Sequence, residues 1–282
     1  MSRDVERPDR FFDRLAEGRF LPTDLTGGAW STAEQHISPF VGLLVHEVER
    51  DAAARAAGPA DTAGPAGGAR AMTVSRVSVD ILGVIGPEEV QVDVEVLRPG
   101  RTIELVEATL RSAGRAAARA RVWRLATGDT SVVAGGAGEP LPPPHDLPTR
   151  AMTDVWPGGY IAGLDVRAAG EVEPGRGRSW ISTTAALVAG EPASALARLL
   201  GLVDTANGLA VRTSPQEWAF PNLDLTVHLV REPRVADGDP VWLGLDTTVV
   251  FGPDGVGLTS SVLHDLHGPV GRAAQVLTLR PR

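Results

Sequence analysis

The chain has 282 residues, a hydrophobic fraction of 43%, a formal net charge of −8 and a pI of about 5.3. This length allows one large domain or two ordinary ones, and the apolar fraction is sufficient for a sizeable core. The acidic balance argues against a nucleic-acid partner, which is usually met by a basic patch. Because the sequence has no cysteine and no lysine, disulfides, thiolate metal sites, a cysteine nucleophile and a Schiff-base or Walker lysine are excluded.

The first ten residues are charged and contain no apolar run, so they do not resemble a signal peptide. No stretch of the sequence approaches the roughly 18 consecutive apolar residues of a membrane span. We therefore expect a cytoplasmic protein without a membrane partner.

The first half of the chain predicts one long helix. We expect it to run from Pro39 to Ala57, with Ser38 as the N-cap and Pro39 at the first helical position. An apolar stripe at helical spacing supports it, formed by Val41, Leu44, Val45, Val48 and Ala52.

A meander of strands is predicted after this helix. A segment rich in Gly, Pro and Ala at residues 58–71 is interpreted as a long surface loop. Strand-like runs follow at residues 77–81, 90–96, 102–111 and 116–125.

A second segment rich in Gly and Pro, residues 135–148, divides the chain almost in half and predicts a semi-rigid spacer. We expect an N-terminal domain at residues 1–134, a linker at 135–150 and a C-terminal domain at 151–282.

The second half repeats the order of the first. A helix is predicted from about Pro192 through Val203. Strands are predicted at residues 223–230, 241–250, 257–264 and 273–279, with a hairpin turn at 251–255.

The two halves also share a short motif. The sequence Gly-Arg-Ala-Ala at residues 114–117 recurs at residues 271–274, each time at the start of the last predicted strand. A repeat of this size indicates duplication of a whole domain. A sheet that curls around one amphipathic helix buries its apolar stripe. The predicted fold class is therefore α+β, a double hotdog, with two fused units that each have a long helix wrapped by a curved antiparallel sheet.

Most catalytic motifs are missing from the sequence. It contains no GxSxG, no HExxH and no P-loop, and His264 with His267 lacks a nearby third ligand. We expect no metal and no cofactor.

Three polar residues of the second half are candidates for a site. Asp204 lies at the border of the apolar helix face, Gln275 shares a strand face with leucines, and Asn222 opens a strand. A buried polar group needs a partner or a ligand. Each residue also has a structural interpretation: a helix-end Asp turned to solvent, a Gln satisfied by backbone, and a turn Asn. Asp224 and Thr226 are alternatives to Asn222 on the same strand.

These positions carry a family resemblance. The second half resembles the acyl-CoA thioesterase II family and its thioesterase-like double-hotdog relatives. The resemblance lies in LVDTANG at residues 202–208, FPNLDLTVH at 220–228 and GPVGRAAQ at 268–275. The first half matches more loosely, through RVSVD at residues 76–80 and VLRPGR at 96–101.

The resemblance implies a function and a set of site residues. In the family an Asp, a Thr and a Gln hold the hydrolytic water, and they match Asp204, Asn222 and Gln275 as candidate catalytic residues. Asn replaces the family's Thr here, although an amide also donates and accepts hydrogen bonds. The implied activity is hydrolysis of acyl-CoA or acyl-carrier-protein thioesters by a homodimer. Backbone N–H groups at the start of the first helix are expected to polarise the carbonyl, with Ser38 and His36 as candidate substrate-binding residues.

Other interpretations remain open. His36 also has the interpretation of an exposed loop histidine. The same fold carries dehydratases and hydratases of acyl thioesters, which use a His with an acidic residue. A non-catalytic protein that binds acyl thioesters or hydrophobic small molecules is the third alternative, because a fold does not fix a function.

Overall fold

The structure is a computed structural model that describes residues 9–57, 71–236 and 239–282. The loop predicted at residues 58–71 lies outside the described residues except for Ala71. Fifteen strands lie within the described ranges: β1 (Arg10–Ala16), β2 (Arg19–Pro22), β3 (Met72–Ile81), β4 (Val90–Arg98), β5 (Ile103–Ser112), β6 (Arg115–Ala126), β7 (Asp165–Ala168), β8 (Arg176–Ser182), β9 (Ala186–Val188), β10 (Trp218–Ala219), β11 (Asp224–Leu229), β12 (Trp242–Phe251), β13 (Val256–Asp265), β14 (Gly268–Thr278) and β15 (Arg280–Pro281).

Thirteen of these described strands form one sheet, in the order β7-β8-β12-β13-β14-β11-β3-β6-β5-β4-β2-β1-β9, while β10 pairs with β15. The order is symmetric about the central antiparallel pair of β3 and β11. From this pair, β6, β5, β4, β2 and β1 follow on one side, and β14, β13, β12, β8 and β7 follow on the other; β9 is one additional strand at the outer edge beside β1. At the centre, Ser78 pairs with Thr226 and their hydroxyl oxygens lie 3.0 Å apart.

The eight strands predicted from alternating sequence are confirmed, with boundaries that shift by a few residues. The predicted hairpin turn between β12 and β13 is confirmed as well, with Gly255 at a φ of +84°. The sequence analysis missed the other seven described strands, because they have two to seven residues and carry little alternation: β1, β2, β7, β8, β9, β10 and β15.

Four helices lie within the described ranges: α1 (Ile37–Ala57), α2 (Gly159–Ala162), α3 (Ala195–Leu200) and α4 (Ala206–Leu209). The first helix begins at Ile37, so the prediction of Ser38 as its N-cap is wrong. The cap position belongs to His36, whose ring Nδ1 accepts the backbone N–H of Ser38 at 3.2 Å. An N-cap side chain accepts an N–H of the first turn in this way.

The second predicted helix is not continuous. It is capped by Ser194, whose hydroxyl accepts the N–H of Ala197 at 3.0 Å, and it ends at Leu200. A 3-10 turn at Val203–Thr205 follows, and it carries Asp204. The helix is interrupted where this segment approaches α1. Asp204 therefore lies on a tight turn rather than on the face of a regular helix.

The predicted apolar stripe of α1 is buried, except that Ala52 near its end is half-buried. It lies against β4, β5 and β6 of the sheet and against α3. Phe40, Val41, Leu44, Val45 and Val48 are fully buried. No helix in the described part of the chain combines the length and the apolar character needed to cross a membrane.

Part of the predicted spacer packs against the sheet of the second half. The indole N–H of Trp180 donates to the carbonyl of Pro142 at 2.7 Å, and Leu141 and Pro144 are buried. His145 meets the ring of Trp242 edge to face, with centroids 6.1 Å apart. Residues 141–147 are therefore anchored to β8 and β12.

A glycine permits the close crossing of α1 and α3. A Cβ at Gly42 would lie 2.7 Å from the carbonyl oxygen of Ala197 and 3.0 Å from the Cα of Gly201. Glycine inside a helix costs about 1 kcal/mol relative to alanine. The close approach of the two backbones explains why glycine occupies this position.

We expect Gly42→Ala to lower the free energy of unfolding by about 1–3 kcal/mol, because overpacking outweighs the gain in helix propensity. Chemical denaturation with urea measures this change. Gly128→Ala is the matched control, because a Cβ at Gly128 meets no atom within 4 Å. Equal stability of both variants would contradict the prediction.

Candidate functional site

Asp204 is at the centre of the candidate site, and its carboxylate is buried. Its Oδ1 accepts a hydrogen bond from Nδ2 of Asn222 at 2.6 Å and one from Nε2 of Gln275 at 2.7 Å. The structure therefore brings together the three residues predicted from the second half. Both amides bind the same carboxylate oxygen, which leaves Oδ2 for other partners.

Each of the three side chains is held by its own segment. The Asp204 backbone N–H donates to Oγ of Ser38 at 3.2 Å, which ties the 3-10 turn to the start of α1. Asn222 also donates to the carbonyl of Asp224 at 3.1 Å. Gln275 lies on β14 on the buried face with Ala273 and Leu277, as its position in the strand predicts.

The other predicted polar positions do not join this cluster. Oδ1 of Asp224 accepts the backbone N–H of Val276 at 2.6 Å, and Thr226 pairs with Ser78. Ser38 is fully buried and binds the Asp204 backbone, and it is not among the residues that line the adjoining cavity.

Burial dominates the electrostatics of Asp204. Desolvation raises the pKa of Asp204 to about 7, even though the hydrogen bonds from Asn222 and Gln275 act to lower it. A carboxyl group with this pKa exchanges a proton near neutral pH. The site is thus suited to general acid–base chemistry.

His36 lies beside Asp204, and its side chain is only 12% exposed, so it is not the exposed loop histidine of the alternative interpretation. Its Nδ1 is 3.8 Å from Oδ2 of Asp204, which is too long for a hydrogen bond. The imidazole stacks on the ring of Tyr160, with centroids 4.3 Å apart and planes at 29°. Burial lowers the pKa of His36 to about 3, so its ring is neutral at physiological pH.

Tyr160 is a site residue that the sequence analysis missed. Its hydroxyl donates to the carbonyl of Gly201 at 2.9 Å, and burial raises its pKa. Two glycines precede it, and a Cβ at either position would collide with the backbone. At Gly159, for example, a Cβ would lie 1.9 Å from the carbonyl oxygen of Asp24. The signal in the sequence was the single tyrosine of the chain, placed directly after a Gly-Gly pair.

A cavity of about 360 Å³ opens beside these residues. His36, Asp204 and Asn222 contribute polar groups to its wall. Most of the remaining lining is apolar, including Trp30, Ile81, Ile85, Met152, Trp156 and Leu209. A few convergent polar groups at an apolar cavity are typical of a small-molecule site.

Aromatic rings support the apolar part of this cavity. Trp30 meets Trp156 and Phe220 edge to face, with centroids 4.9 and 5.0 Å apart. The indole N–H of Trp156 donates to the carbonyl of Gly208 at 3.1 Å, so its polar edge is satisfied. This wall can therefore contact an apolar ligand. Within the described residues, no group of three or more His, Asp or Glu side chains is arranged to hold a metal ion.

Two family models match the chain. The acyl-CoA thioesterase N-terminal domain matches residues 26–125, and the acyl-CoA thioesterase C-terminal domain matches residues 143–279. No significant match is found among curated protein sequences.

Solved structures share the fold at low sequence identity. A protein assigned as a thioesterase from Novosphingobium aromaticivorans is 22% identical, with a TM-score of 0.68 over 96% of this chain and 98% of the other. A protein with a hotdog fold from Alicyclobacillus acidocaldarius is 13% identical, with a TM-score of 0.67 over 96% and 97%. The acyl-CoA thioesterase II TesB2 from Mycobacterium marinum is 16% identical, with a TM-score of 0.58 over 96% of both chains. These likenesses show a hotdog fold.

Because the pKa of Asp204 is raised, replacing this residue by a neutral one should stabilise the protein, and the gain should depend on pH. The pKa rises from 3.8 to about 7 on folding, so ionisation opposes folding and stability falls as the pH rises between these values. We expect Asp204→Asn to raise the free energy of unfolding by roughly 1–4 kcal/mol at pH 8 and by little near pH 4. Urea denaturation at both pH values measures the effect.

Asp265→Asn is the matched control for this experiment. Burial raises the pKa of Asp265, but the hydrogen bonds from Arg231 and from two backbone N–H groups together lower it. Both carboxylate oxygens lie 2.6 Å from nitrogens of Arg231. This substitution should therefore destabilise the protein at pH 8 by ~3 kcal/mol or more. An Asp204→Asn variant that is less stable than the parent at pH 8 would contradict the assigned shift.

Proposed function

Because the chain belongs to the acyl-CoA thioesterase family and is a hydrolase of that kind, we propose that it hydrolyses acyl-CoA thioesters to a free acid and a thiol. The water is held by the cluster of Asp204, Asn222 and Gln275. One observation carries this proposal: a buried carboxylate with two amides on one oxygen and its other oxygen available at an apolar cavity.

The proposed reaction begins with Asp204 as the general base. Its ionised Oδ2 accepts a proton from the water as the water oxygen attacks the thioester carbonyl carbon. The tetrahedral intermediate then collapses, the carbon–sulfur bond breaks, and the leaving thiolate takes the proton from Asp204. The products are a carboxylic acid and the free thiol, and Asp204 returns to its ionised form.

Asn222 and Gln275 act mainly by positioning in this scheme. Their N–H groups fix Oδ1 of Asp204, so that Oδ2 keeps one orientation toward the cavity. Asn222 also lines the cavity, so its amide is within range of the water, whereas Gln275 lies behind the carboxylate. Preorganisation of this kind contributes through proximity and orientation. Ser38 positions Asp204 through the backbone bond.

The architecture that we propose for this function is the double hotdog. The sheet order, symmetric about β3 and β11, supports two fused units with domains at residues 1–134 and 151–282 and a linker at 135–150. His36 comes from the first unit and Asp204 from the second, so the site lies between them. The resemblance also leads us to expect a homodimer. It leaves open whether the acyl group is carried by coenzyme A or by a carrier protein.

A second candidate function is favoured by the proximity of His36 to Asp204. Hydratases of acyl thioesters use a His with an acidic residue, and the two side chains lie 3.8 Å apart here. An assay with an unsaturated acyl-CoA separates the functions, because hydrolysis releases a thiol whereas hydration removes the double bond and releases none.

The proposed base predicts the effect of substitutions on thiol release from a series of acyl-CoAs. Asp204→Asn should lower kcat by ~100-fold or more, because the base is lost. Asn222→Thr should retain activity within ~10-fold, since a hydroxyl also donates to Asp204. Asp165→Asn, which removes a partly exposed partner of Arg167, is the control and should turn over like the parent. Full activity of the Asp204→Asn variant would refute the assignment of Asp204 as the base.

The same scheme predicts a pH profile. Since the base must be ionised, kcat/KM should rise with pH through a limb near pH 7, the value to which burial raises the pKa of Asp204. Gln275→Leu removes a hydrogen bond that lowers this pKa, so the limb should move to higher pH. Rates measured from pH 5 to 9 test this. An unchanged midpoint in Gln275→Leu would contradict the role of Gln275.

A further inference from the structure

His36 is held rigidly at the wall of the cavity. Its imidazole stacks on Tyr160, and the hydroxyl of Tyr160 is in turn anchored to the carbonyl of Gly201. Nδ1 of the ring accepts the N–H of Ser38. The ring plane and the ring rotation are therefore both fixed.

The bond from Ser38 also determines which nitrogen of His36 carries the hydrogen. Nδ1 has a single lone pair, so a ring that accepts an N–H there cannot be protonated at Nδ1. A neutral imidazole then has its hydrogen on Nε2. Nε2 makes no hydrogen bond to any residue in the described ranges, and the ring lines the cavity. The site thus contains a neutral N–H donor beside the ionisable carboxyl group of Asp204.

The backbone at the start of α1 has few donors left for a ligand. The N–H of Ser38 is donated to the His36 ring, and Pro39 has none. A helix start normally offers several N–H groups to a developing negative charge. Here the cap residue occupies one of them and presents a side-chain N–H from the same place.

We propose that His36 is a catalytic residue whose Nε2–H donates a hydrogen bond to the thioester carbonyl oxygen and stabilises the oxyanion of the tetrahedral intermediate. This inference rests on the proposed function and adds the electrophilic half of the site. The proton stays on Nε2 throughout, while the proton of the water travels through Asp204. A neutral imidazole can serve as such an electrophile.

The position of His36 relative to Asp204 suits a division of roles. Nδ1 lies 3.8 Å from Oδ2 of Asp204 and both residues line the cavity, so one bound ligand can meet both side chains. A histidine that acts as a base in hydration needs an unprotonated nitrogen toward the substrate. In this chain the unprotonated nitrogen is used by Ser38, which favours hydrolysis over hydration.

Two substitutions separate the proposed role from simple helix capping. His36→Asn keeps an acceptor near the Nδ1 position, and Asn is among the best N-caps, but it lacks a group at Nε2. His36→Gln places an amide N–H near Nε2 and gives up the cap. We expect His36→Asn to lower kcat by ~100-fold or more with little change in Tm, and His36→Gln to recover at least ~10-fold of that loss.

The outcomes of this experiment are decisive for the inference. His36→Asn activity within ~3-fold of the parent would overturn it and assign the oxyanion to backbone N–H groups such as that of Ile37. A His36→Gln variant no more active than His36→Asn would overturn it as well. If the parent releases no thiol from any acyl-CoA, or if Asp204→Asn stays active, the proposed function fails instead, which distinguishes the two failures.

A spectroscopic measurement tests the tautomer without any activity. Long-range ¹H–¹⁵N correlation spectra of the ¹⁵N-histidine-labelled protein, with His36 assigned by its loss in His36→Gln, report which ring nitrogen bears the hydrogen. We expect a neutral ring protonated at Nε2 from pH 6 to 8. A ring with its hydrogen on Nδ1, or a doubly protonated ring, would overturn the inference.

Discussion

The burial of one carboxylate sets the requirements for the whole site. An ionised Asp in an apolar interior is costly unless hydrogen bonds compensate. The Ser38 hydroxyl accepts the backbone N–H of Asp204 and holds the turn in place. The compensation for the charge comes from two separate places, the amide of Asn222 before β11 and the amide of Gln275 on β14. These bonds reduce the cost without removing it, and the remaining cost is what brings the pKa of Asp204 near neutrality.

This constraint explains details of the fold that otherwise look like irregularities. The second helix breaks after Leu200, and the 3-10 turn directs Asp204 toward α1. Gly42 allows α1 and α3 to come close enough for Ser38 to reach the turn. The glycines before Tyr160 bring that ring beneath His36. Packing and polar contacts therefore converge on the same few residues.

The sequence allowed the repeated strands and the second-half cluster to be predicted, because alternation and misplaced polar residues are local signals. Gln275 stood out among leucines on one strand face, and its burial agrees with that reading. The predicted start of the first helix was wrong because Ser38 and Pro39 are each good local signals for a helix start. The cap by the His36 ring involves a ring that stacks against Tyr160, which is distant in the chain. The contacts of His36 and the aromatic wall of Trp30 and Trp156 join segments far apart in the chain. No local pattern reports such pairings.

The repeated Gly-Arg-Ala-Ala motif has a consequence for how such a site can evolve. It is followed by Gln275 on β14, but by the buried Ala118 on β6, its counterpart across the symmetric sheet. In a symmetric assembly of two identical units, every residue at the interface occurs twice, once in each unit. In a single chain the two positions mutate independently. In the proposed double hotdog, one half can then specialise in the carboxylate and its amides while the other supplies the histidine, and one gene keeps the two halves at a ratio of one to one.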